Sequence, residues 1–478
     1  MSEEKTNPEM NEEMNGEINE EMRNESAENT AGKALETAEN TAEKALEAAE
    51  NTEEKALEAA ASAEAPETAA EAPIKKKKKL TKKRLALRIV LIVLAVILAV
   101  VGSYVIYVFT SYHRLPDNLE LTPEPDPLMY DAMNRLPPER INVEPGQKTY
   151  TIMTYNIGFG AYTSDYSFFM DGGKYSWARS KDGLNQNLVD MSSAIRSYDP
   201  DFLLLQEVDE DGTRTYHVNE VNYMCALLDY FQHVYAQNFD SPFLFWPLWQ
   251  PHGANKSGLL TLSSAYISSA MRRSLPVSNS VTKIVDLDRC YSITRIPLGD
   301  PTPLPLDRGE KTADPASDPT DSDTKELVLI NVHLSAYSTG SVREKQLEML
   351  YGDLQKEYDK GNYVICGGDF NHNLRGGDDD KAPSWAQPFP METLPDGFHF
   401  GFLKDANGKS DPEVNIDHNS CRDANEPYNP DTTFTVLADG FLVSDNIEVT
   451  YYESVDTQYT YSDHDPVLME FRLLEEDA

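Results

Sequence analysis

Between Ile89 and Phe109 the chain runs for 21 residues without a charge, and most of them are Val, Ile, Leu or Ala. As a helix this run is about 31 Å long, which matches the hydrocarbon core of a bilayer. A secretory signal peptide is the alternative, but 88 residues precede the run, far more than such a peptide carries. The run therefore predicts one transmembrane helix over residues 89–110.

The charges beside this run set its expected orientation. Residues 75–88 carry nine Lys or Arg and no acidic residue. Basic segments next to a membrane span stay in the cytoplasm, and they also bind anionic headgroups. We expect a single-pass protein of the cell membrane, held by a signal anchor, with 75–88 as a basic juxtamembrane segment. The N-terminus is then cytoplasmic and the C-terminal part extracytoplasmic.

The N-terminal segment is acidic and repetitive. Residues 1–73 contain 21 Glu, no Asp and five Lys or Arg. Units beginning at Asn29, Asn40 and Asn51 repeat every 11 residues, a period that favours a right-handed supercoil. Each unit offers one Leu and several Ala, so its apolar stripe is thin. Residues 1–74 are therefore predicted as a disordered or weakly helical cytoplasmic tail, with weak self-association left open.

Downstream of the span, composition separates a stalk from a folded domain. Residues 111–148 are rich in Pro and aperiodic, which predicts a stalk, and the Pro/Asp-rich segment 299–324 predicts a solvated loop. From 149 to 478, short branched runs alternate with segments of helical period, which predicts sheets covered by helices. The strand candidates are 150–156, 202–206, 258–262, 293–297, 327–333, 363–366, 440–443 and 467–472. The helix candidates are 185–197, 218–228 and 341–360.

The four cysteines form no zinc-binding pattern. Cys225, Cys290, Cys366 and Cys421 show no CxxC spacing, so a structural zinc site is unsupported. One or two disulfides are compatible with this number outside the cytoplasm. Cys366 lies within an apolar strand, where an unpaired buried thiol fits better.

Several predicted strands end at a polar side chain. These residues are Asn156, Glu207, His333, Asp369 and Asn371. If the strands run in the same direction, their polar ends gather at one edge of a sheet. Taken alone, each such residue is more often a turn former or a solvated side chain. The recurrence at four strand ends instead predicts a site.

The residue types at these ends fit metal-assisted phosphoryl chemistry. Glu207 is a hard oxygen ligand suited to Mg²⁺ or Mn²⁺, and Asp463 and Asn156 can complete the ligand set. Asp369 and Asn371 are two residues apart, so in extended chain they project to one side and can align a water and a phosphate oxygen.

A histidine and a carboxylate complete the candidate set. His464 follows Asp463 directly and heads an apolar run, and its imidazole can accept a proton or hold a phosphoryl oxygen. Asp439 begins another apolar run and is the candidate orienter, because a carboxylate on one ring nitrogen fixes the tautomer. A lone histidine is more often a hydrogen-bonded core residue.

Five short segments occur in the order found in one known superfamily. They are Thr154-Tyr155-Asn156, Leu205-Gln206-Glu207-Val208, Asn331-Val332-His333-Leu334, Gly367-Gly368-Asp369-Phe370-Asn371 and Ser462-Asp463-His464-Asp465-Pro466-Val467. In this respect residues 149–473 resemble the endonuclease/exonuclease/phosphatase superfamily, in the branch of sphingomyelinases and deoxyribonucleases. The resemblance implies an α/β four-layer sandwich, two mixed β-sheets face to face with helices outside.

The resemblance also implies roles. Asn156, Glu207 and Asp463 belong to the metal site, Asp369 positions or deprotonates the water, and Asn371 binds the phosphate. His464, paired with Asp439, stabilises the phosphorane-like charge or acts as base, and His333 acts as acid to the leaving oxygen. Two departures concern the acid step: Ser264 stands where the superfamily often has a basic residue, and the sequence offers no carboxylate partner for His333.

The substrate is expected to be a phosphoester. Residues 109–478 have a net charge of −31 and no Lys/Arg cluster beyond Arg272-Arg273, whereas duplex nucleases present a basic stripe. An extracellular nuclease remains the alternative. The aromatic run 239–249 is either core or, because two Pro make it a loop, a lid or lipid-facing wedge beside the site, which would suit a lipid headgroup.

A function of another class is a catalytically dead surface binding protein on the same fold. Pseudoenzymes usually lose acidic or imidazole groups, and here Glu207, Asp369, Asp463 and His464 are all present. The sequence leaves the substrate, the metal in use and the oligomeric state open.

Overall fold

The computed structural model describes residues 82–124, 140–277, 288–299, 325–336, 340–377, 382–383, 385–404 and 410–475. The predicted acidic tail, residues 75–81 of the basic segment and residues 300–324 of the predicted loop lie outside these ranges. The chain divides into two units, residues 1–89 and 90–478. Of the first unit only residues 82–89 are described, and they are helical.

The apolar run forms helix α1 (Lys82–Ser111), in which Val108 is the one buried residue. Mean hydropathy reaches 3.1 over the most apolar 18 residues. A helix that is apolar all round is either covered by protein or placed in a membrane, and α1 is long and apolar enough to cross one. The described helix includes seven residues that precede the predicted span, among them Lys, Arg and Leu, which are good helix formers.

Three further helices and sixteen strands occur among the described residues. The helices are α2 (Lys181–Tyr198), α3 (Glu220–Leu227) and α4 (Gly340–Asp359). The strands are β1 (Leu119–Leu121), β2 (Tyr150–Asn156), β3 (Phe202–Gly212), β4 (Gln232–Asp240), β5 (Asn255–Ser263), β6 (Ser269–Ser274), β7 (Cys290–Pro297), β8 (Glu326–His333), β9 (Tyr363–Asp369), β10 (Phe398–Phe400), β11 (Glu413–Asn415), β12 (Cys421–Arg422), β13 (Thr435–Val436), β14 (Asp439–Ser444), β15 (Ile447–Ser454) and β16 (Val467–Leu473).

Two mixed sheets of seven strands form the centre of the domain. Sheet A has the order β1-β6-β7-β8-β9-β14-β10 and sheet B the order β11-β15-β16-β2-β3-β5-β4. Alternate residues of each central strand face opposite layers: Ile152 lies in the core between the sheets, whereas Met153 packs towards α2 and α3. On the far side of sheet A, Val364 packs with Leu350 of α4. The predicted four-layer sandwich is confirmed.

Two parallel strand pairs bring polar strand ends together. β2 runs parallel to β3, with Asn156 opposite Gln206. β8 runs parallel to β9, with His333 opposite Asp369. The carboxyl ends of parallel strands share one edge of a sheet, so the register alone places these residues beside one another.

The structure adds strands to those that the sequence indicated. β4, β6 and β15 were not predicted, because polar residues interrupt their apolar positions. β1 lies within the predicted stalk and pairs with β6, and Arg114 contacts Asp288 at 3.0 Å. A three-residue edge strand has too little periodicity to be recognised. The four cysteines are free, and Cys366 is buried as expected.

Candidate active site

Three neighbouring strands of sheet A each bring one polar residue to the same end. His333 ends β8 and stands opposite Asp369, the last residue of β9. β14 runs antiparallel to β9, so its first residue, Asp439, stands opposite Asp369 on the other side. The end of β9 thus lies between an imidazole and a second carboxylate.

Asp369 receives hydrogen bonds from two asparagines. Its Oδ1 accepts the backbone N–H of Asn371 at 2.8 Å. Its Oδ2 accepts the side-chain amides of Asn156 at 3.1 Å and Asn371 at 3.2 Å. Burial raises the pKa of Asp369 to about 6, although His464 and the amide hydrogen bonds act in the opposite direction. This carboxylate is fixed in place and poised to take up a proton near neutral pH.

His464 is held by the carboxylate of Asp439. Its Nδ1 lies 2.7 Å from Oδ2 of Asp439, which also accepts the hydroxyl of Ser420 at 2.8 Å. Its Nε2 lies 3.4 Å from Sγ of Cys421 and 3.8 Å from Oδ2 of Asp369. Burial opposes a charge on the ring, but Asp439, Cys421 and Asp369 outweigh it and raise the pKa of His464 well above its ordinary value. The ring is therefore cationic near pH 7.

His333, unlike His464, is neutral near pH 7. Burial lowers its pKa well below 6.5, and the charges of Arg289 and His464 lower it further. Its Nε2 lies 3.4 Å from Oδ2 of Asp369 and 3.9 Å from Oε1 of Glu207. The structure thus supplies the carboxylate neighbours that the sequence did not reveal. Among the described residues, its buried Nδ1 has no hydrogen-bond partner.

Glu207 reaches the site through a β-bulge. The register of β3 against β5 shifts between Leu205 and Val208, and φ of Glu207 is 54°. A bulge turns one side chain out of the strand's alternation. β3 then continues to Gly212, so it does not end at Gln206 as predicted. The Glu207 side chain is 30% exposed, and its Oε1 lies 3.5 Å from Nδ2 of Asn156.

The donor set at Glu207, Asp463 and Asn156 fits a hard divalent cation. Loss of solvation raises the pKa of Asp463 to about 7, and the charge of Glu207 contributes to the rise. Oδ1 of Asn156 accepts the N–H of Gly158 at 3.0 Å and keeps a second lone pair. Mg²⁺ and Mn²⁺ bind to carboxylate and amide oxygens of this kind.

A second set of ligand-type atoms lies within 4.8 Å of one another, on Asp369, Asp439 and His464. Oδ2 of Asp439 already accepts two hydrogen bonds, one of them from the His464 ring. His464, protonated on both ring nitrogens, has no lone pair to offer a cation. These three residues are better explained as a hydrogen-bonded group than as a metal site.

Most of the predicted site residues line one cleft of about 720 Å³. Six of them face it: Glu207, His333, Asp369, Asn371, Asp463 and His464. Asn156 and Asp439 lie behind it and are hydrogen-bonded to Asp369 and His464 respectively. The structure therefore brings all eight predicted residues to one place, although they are spread over more than 300 positions of the chain.

Arginines of the cleft were missed by the sequence analysis. Arg214 is bound by both oxygens of Asp209, at 2.9 and 2.7 Å, and Arg422 donates to backbone carbonyls, including that of Thr163 at 3.1 Å. The Arg289 side chain makes no hydrogen bond or ion pair with the described residues, so it can meet a substrate anion. No motif surrounds Arg289, and only the folded chain shows that it faces the cleft.

Comparison with known proteins gave one family and several similar folds. The sequence model of the Endonuclease/Exonuclease/phosphatase family matches residues 153–464. An endonuclease/exonuclease/phosphatase from Beutenbergia cavernae DSM 12333 is 15% identical, covering 69% of this chain and 72% of that chain, with a TM-score of 0.43. One from Bacteroides vulgatus is 14% identical, covering 68% and 100%, with a TM-score of 0.43. A mannosyl-6-phosphatase from Bacteroides thetaiotaomicron VPI-5482 is 16% identical, covering 67% and 99%, with a TM-score of 0.41. A comparison with curated protein sequences found no match.

Proposed function

Because the chain belongs to the endonuclease/exonuclease/phosphatase family of phosphoester hydrolases, we propose that it is a divalent-metal-dependent phosphodiesterase or phosphatase. We further propose that α1 anchors it in the cell membrane, with the catalytic domain outside the cytoplasm. The observation that carries the catalytic part is the meeting of Glu207, Asp369, Asp463 and His464 at one cleft.

The geometry suggests how the reaction proceeds. Asp369, held by the amides of Asn156 and Asn371, orients the attacking water and accepts its proton. The water oxygen bonds to phosphorus while the bond to the leaving ester oxygen breaks. That oxygen takes up a proton from solvent, and Asp369 returns its proton to solvent. Holding water and phosphorus in line removes much of the entropic part of the barrier.

Two histidines then serve different purposes. His464, kept cationic by Asp439, stabilises the negative charge that grows on the phosphoryl oxygens. His333 is neutral, so we assign it a hydrogen bond to the substrate instead of the proton donation that the superfamily resemblance implied. Glu207, Asp463 and Oδ1 of Asn156 would hold Mg²⁺ or Mn²⁺, which supplies positive charge next to the phosphoryl oxygens. Arg289 contributes a further positive charge.

A substitution at Glu207 tests the proposal. The full chain in detergent is assayed with Mg²⁺ on bis(p-nitrophenyl) phosphate, sphingomyelin and plasmid DNA. Glu207→Ala is expected to lower turnover by at least about 100-fold and to abolish the rise in unfolding temperature caused by Mg²⁺. Glu210→Ala, three residues along the same strand, is the matched control and should keep both.

The outcomes separate the alternatives. Turnover by Glu207→Ala at the wild-type rate contradicts the proposed metal site. No turnover of any substrate by the wild-type chain favours the surface binding protein. DNA cleavage without turnover of the other two substrates favours the extracellular nuclease.

A further inference from the structure

Four large apolar side chains protrude from the loop between β4 and β5. Phe245 is 54%, Trp246 60%, Leu248 75% and Trp249 69% exposed. Outside α1, no other large apolar side chain among the described residues is more than 44% exposed. We call residues 243–249 the aromatic loop. Such a cluster is costly in water and marks a surface that meets another apolar phase.

The aromatic loop is bound to the C-terminal part of α1. The hydroxyl of Tyr104 accepts the N–H of Phe245 and donates to the carbonyl of Phe243, both at 3.2 Å. The hydroxyl of Tyr107 accepts the N–H of Phe243 at 3.0 Å. The rings of Tyr104 and Phe245 pack edge to face at 5.4 Å. The loop backbone is thus fixed at two successive turns of the helix.

These contacts fix the depth of the loop if α1 crosses the membrane. Tyr104 lies five residues before the end of the apolar run at Phe109, which is about 8 Å along a helix axis. The loop therefore lies beside the last turns of the span. Trp and Tyr concentrate at this level of a bilayer, where their amphipathic rings meet both acyl chains and headgroups.

The catalytic cleft extends to the same place. Tyr104, Leu244 and Trp246 line the same cleft as Asp369 and His464. The aromatic residues Phe168, Phe169 and Phe239 also line it. One cleft therefore joins a phosphoryl-transfer site to an apolar wall at the level of the membrane surface.

We propose that the substrate is a phosphoester of a lipid that stays in the outer leaflet while its headgroup enters the cleft. The proposal rests on the hydrolase function and the membrane span argued above. The apolar part of the lipid lies against the aromatic loop, and its phosphate reaches Asp369 and His464. Water then forms the new bond to phosphorus, and one ester oxygen leaves as an alcohol.

The test uses the full chain reconstituted into vesicles of phosphatidylcholine, phosphatidylethanolamine, phosphatidylglycerol and sphingomyelin in equal amounts. Leu248→Ser/Trp249→Ser removes apolar area from the loop at two positions that do not line the cleft; Trp249 packs edge to face on the lining residue Trp246, with 6.0 Å between ring centroids. Leu403→Ser/Val414→Ser is the matched control, because these residues are 41% and 39% exposed and lie next to β10 and in β11, at the other edges of the sheets.

We expect the loop variant to hydrolyse vesicle lipid at least about 10-fold more slowly than wild type and to keep the rate on soluble bis(p-nitrophenyl) phosphate within two-fold. The control variant should keep both rates. Quenching of tryptophan fluorescence by nitroxide-labelled lipid should fall in the loop variant only.

Two results would overturn the lipid assignment alone: turnover of the soluble ester with no loss of any of the four lipids, or unchanged lipid turnover in the loop variant. Failure of the wild-type chain on both the soluble ester and the lipids would overturn the hydrolase function and the lipid assignment together.

Discussion

At the scale of single residues, the two histidines of the cleft differ in charge because only one of them has a hydrogen bond to a carboxylate. His464 has the Asp439 carboxylate 2.7 Å from Nδ1, whereas Nδ1 of His333 has no partner among the described residues. Both rings are buried. Burial alone favours a neutral ring, so the carboxylate accounts for the charge on His464.

Asp439→Asn should therefore remove the charge on His464 while keeping the shape of the side chain. We expect kcat to fall by roughly 10²–10⁴-fold, because a neutral amide does not stabilise an imidazolium. The measurement is steady-state kinetics on bis(p-nitrophenyl) phosphate. Asp445→Asn is the control, since Asp445 forms a similar pair with His399 at 3.1 Å outside the cleft. Wild-type kcat in Asp439→Asn would contradict the role given to His464.

Asp463 makes the proposed metal site dependent on pH. Its pKa is raised to about 7 in the folded chain, whereas an unfolded Asp titrates near 3.9. The folded state thus keeps a proton that the unfolded state has lost, and ionising the carboxylate as pH rises through 7 lowers the free energy of unfolding. For this partly exposed group the loss is roughly 2 kcal/mol.

A cation that replaces this proton should bind more strongly at high pH. We expect Mg²⁺ to raise the unfolding temperature more at pH 8 than at pH 5, as measured by thermal scans of chelator-treated protein. Asp463→Asn should lose this difference, and Asp211→Asn, at an exposed position of β3, should keep it. An equal effect of Mg²⁺ at both pH values in the wild type would argue against Asp463 as a ligand.

At the scale of secondary-structure elements, the glycine pair before Asp369 sets the spacing of the sheet. Gly368 has φ of +147°, and a Cβ at this position would lie 1.9 Å from the carbonyl oxygen of Val332 in β8. A Cβ on Gly367 would meet the ring of Phe441 at 2.5 Å. The neighbouring strands β8 and β14 therefore approach β9 closely at these two glycines.

Gly368→Ala should separate β8 from β9 and displace Asp369. We expect the free energy of unfolding to fall by about 2–5 kcal/mol, from the strained φ and the clash together. Gly352→Ala is the matched control in α4, where a Cβ meets nothing within 4 Å, and it should stabilise by about 0.5–1 kcal/mol. Denaturant titration measures both. A Gly368→Ala chain as stable as wild type would contradict the packing described.

At the scale of the whole molecule, the positive charge of residues 75–88 and the position of the site C-terminal to α1 predict a fixed topology. Moving nine positive charges across a bilayer is unfavourable, so residues 75–88 should remain in the cytoplasm. A tag after Ala478 should be detected on intact cells, and a tag before Met1 only after permeabilisation. Replacing the Lys and Arg of residues 75–88 by Gln should make the orientation mixed. Detection of the N-terminal tag alone on intact cells would reverse the assignment.

The sequence by itself determined the long apolar helix, the fold class and the residues proposed for the site. Each of these depends on residues that are close together in the sequence: an uncharged run of bilayer length, apolar runs of strand period, and polar residues directly after them. Asn156, His333 and Asp369 could be named because each of them ends an apolar run of strand period, although Asn156 ends a strand of sheet B and the other two end strands of sheet A.

Only the tertiary structure decided how these pieces act on one another. The charge states of His333 and His464 depend on burial and on carboxylates far away in the chain. The bulge that turns out Glu207 is set by pairing with β5, and Arg289 reaches the cleft without any motif. The sequence of the aromatic loop is equally compatible with a core segment, and its exposure and its contacts with α1 are visible only in the folded chain. Solvation and electrostatic energy depend on distances in space, which the order of residues does not give.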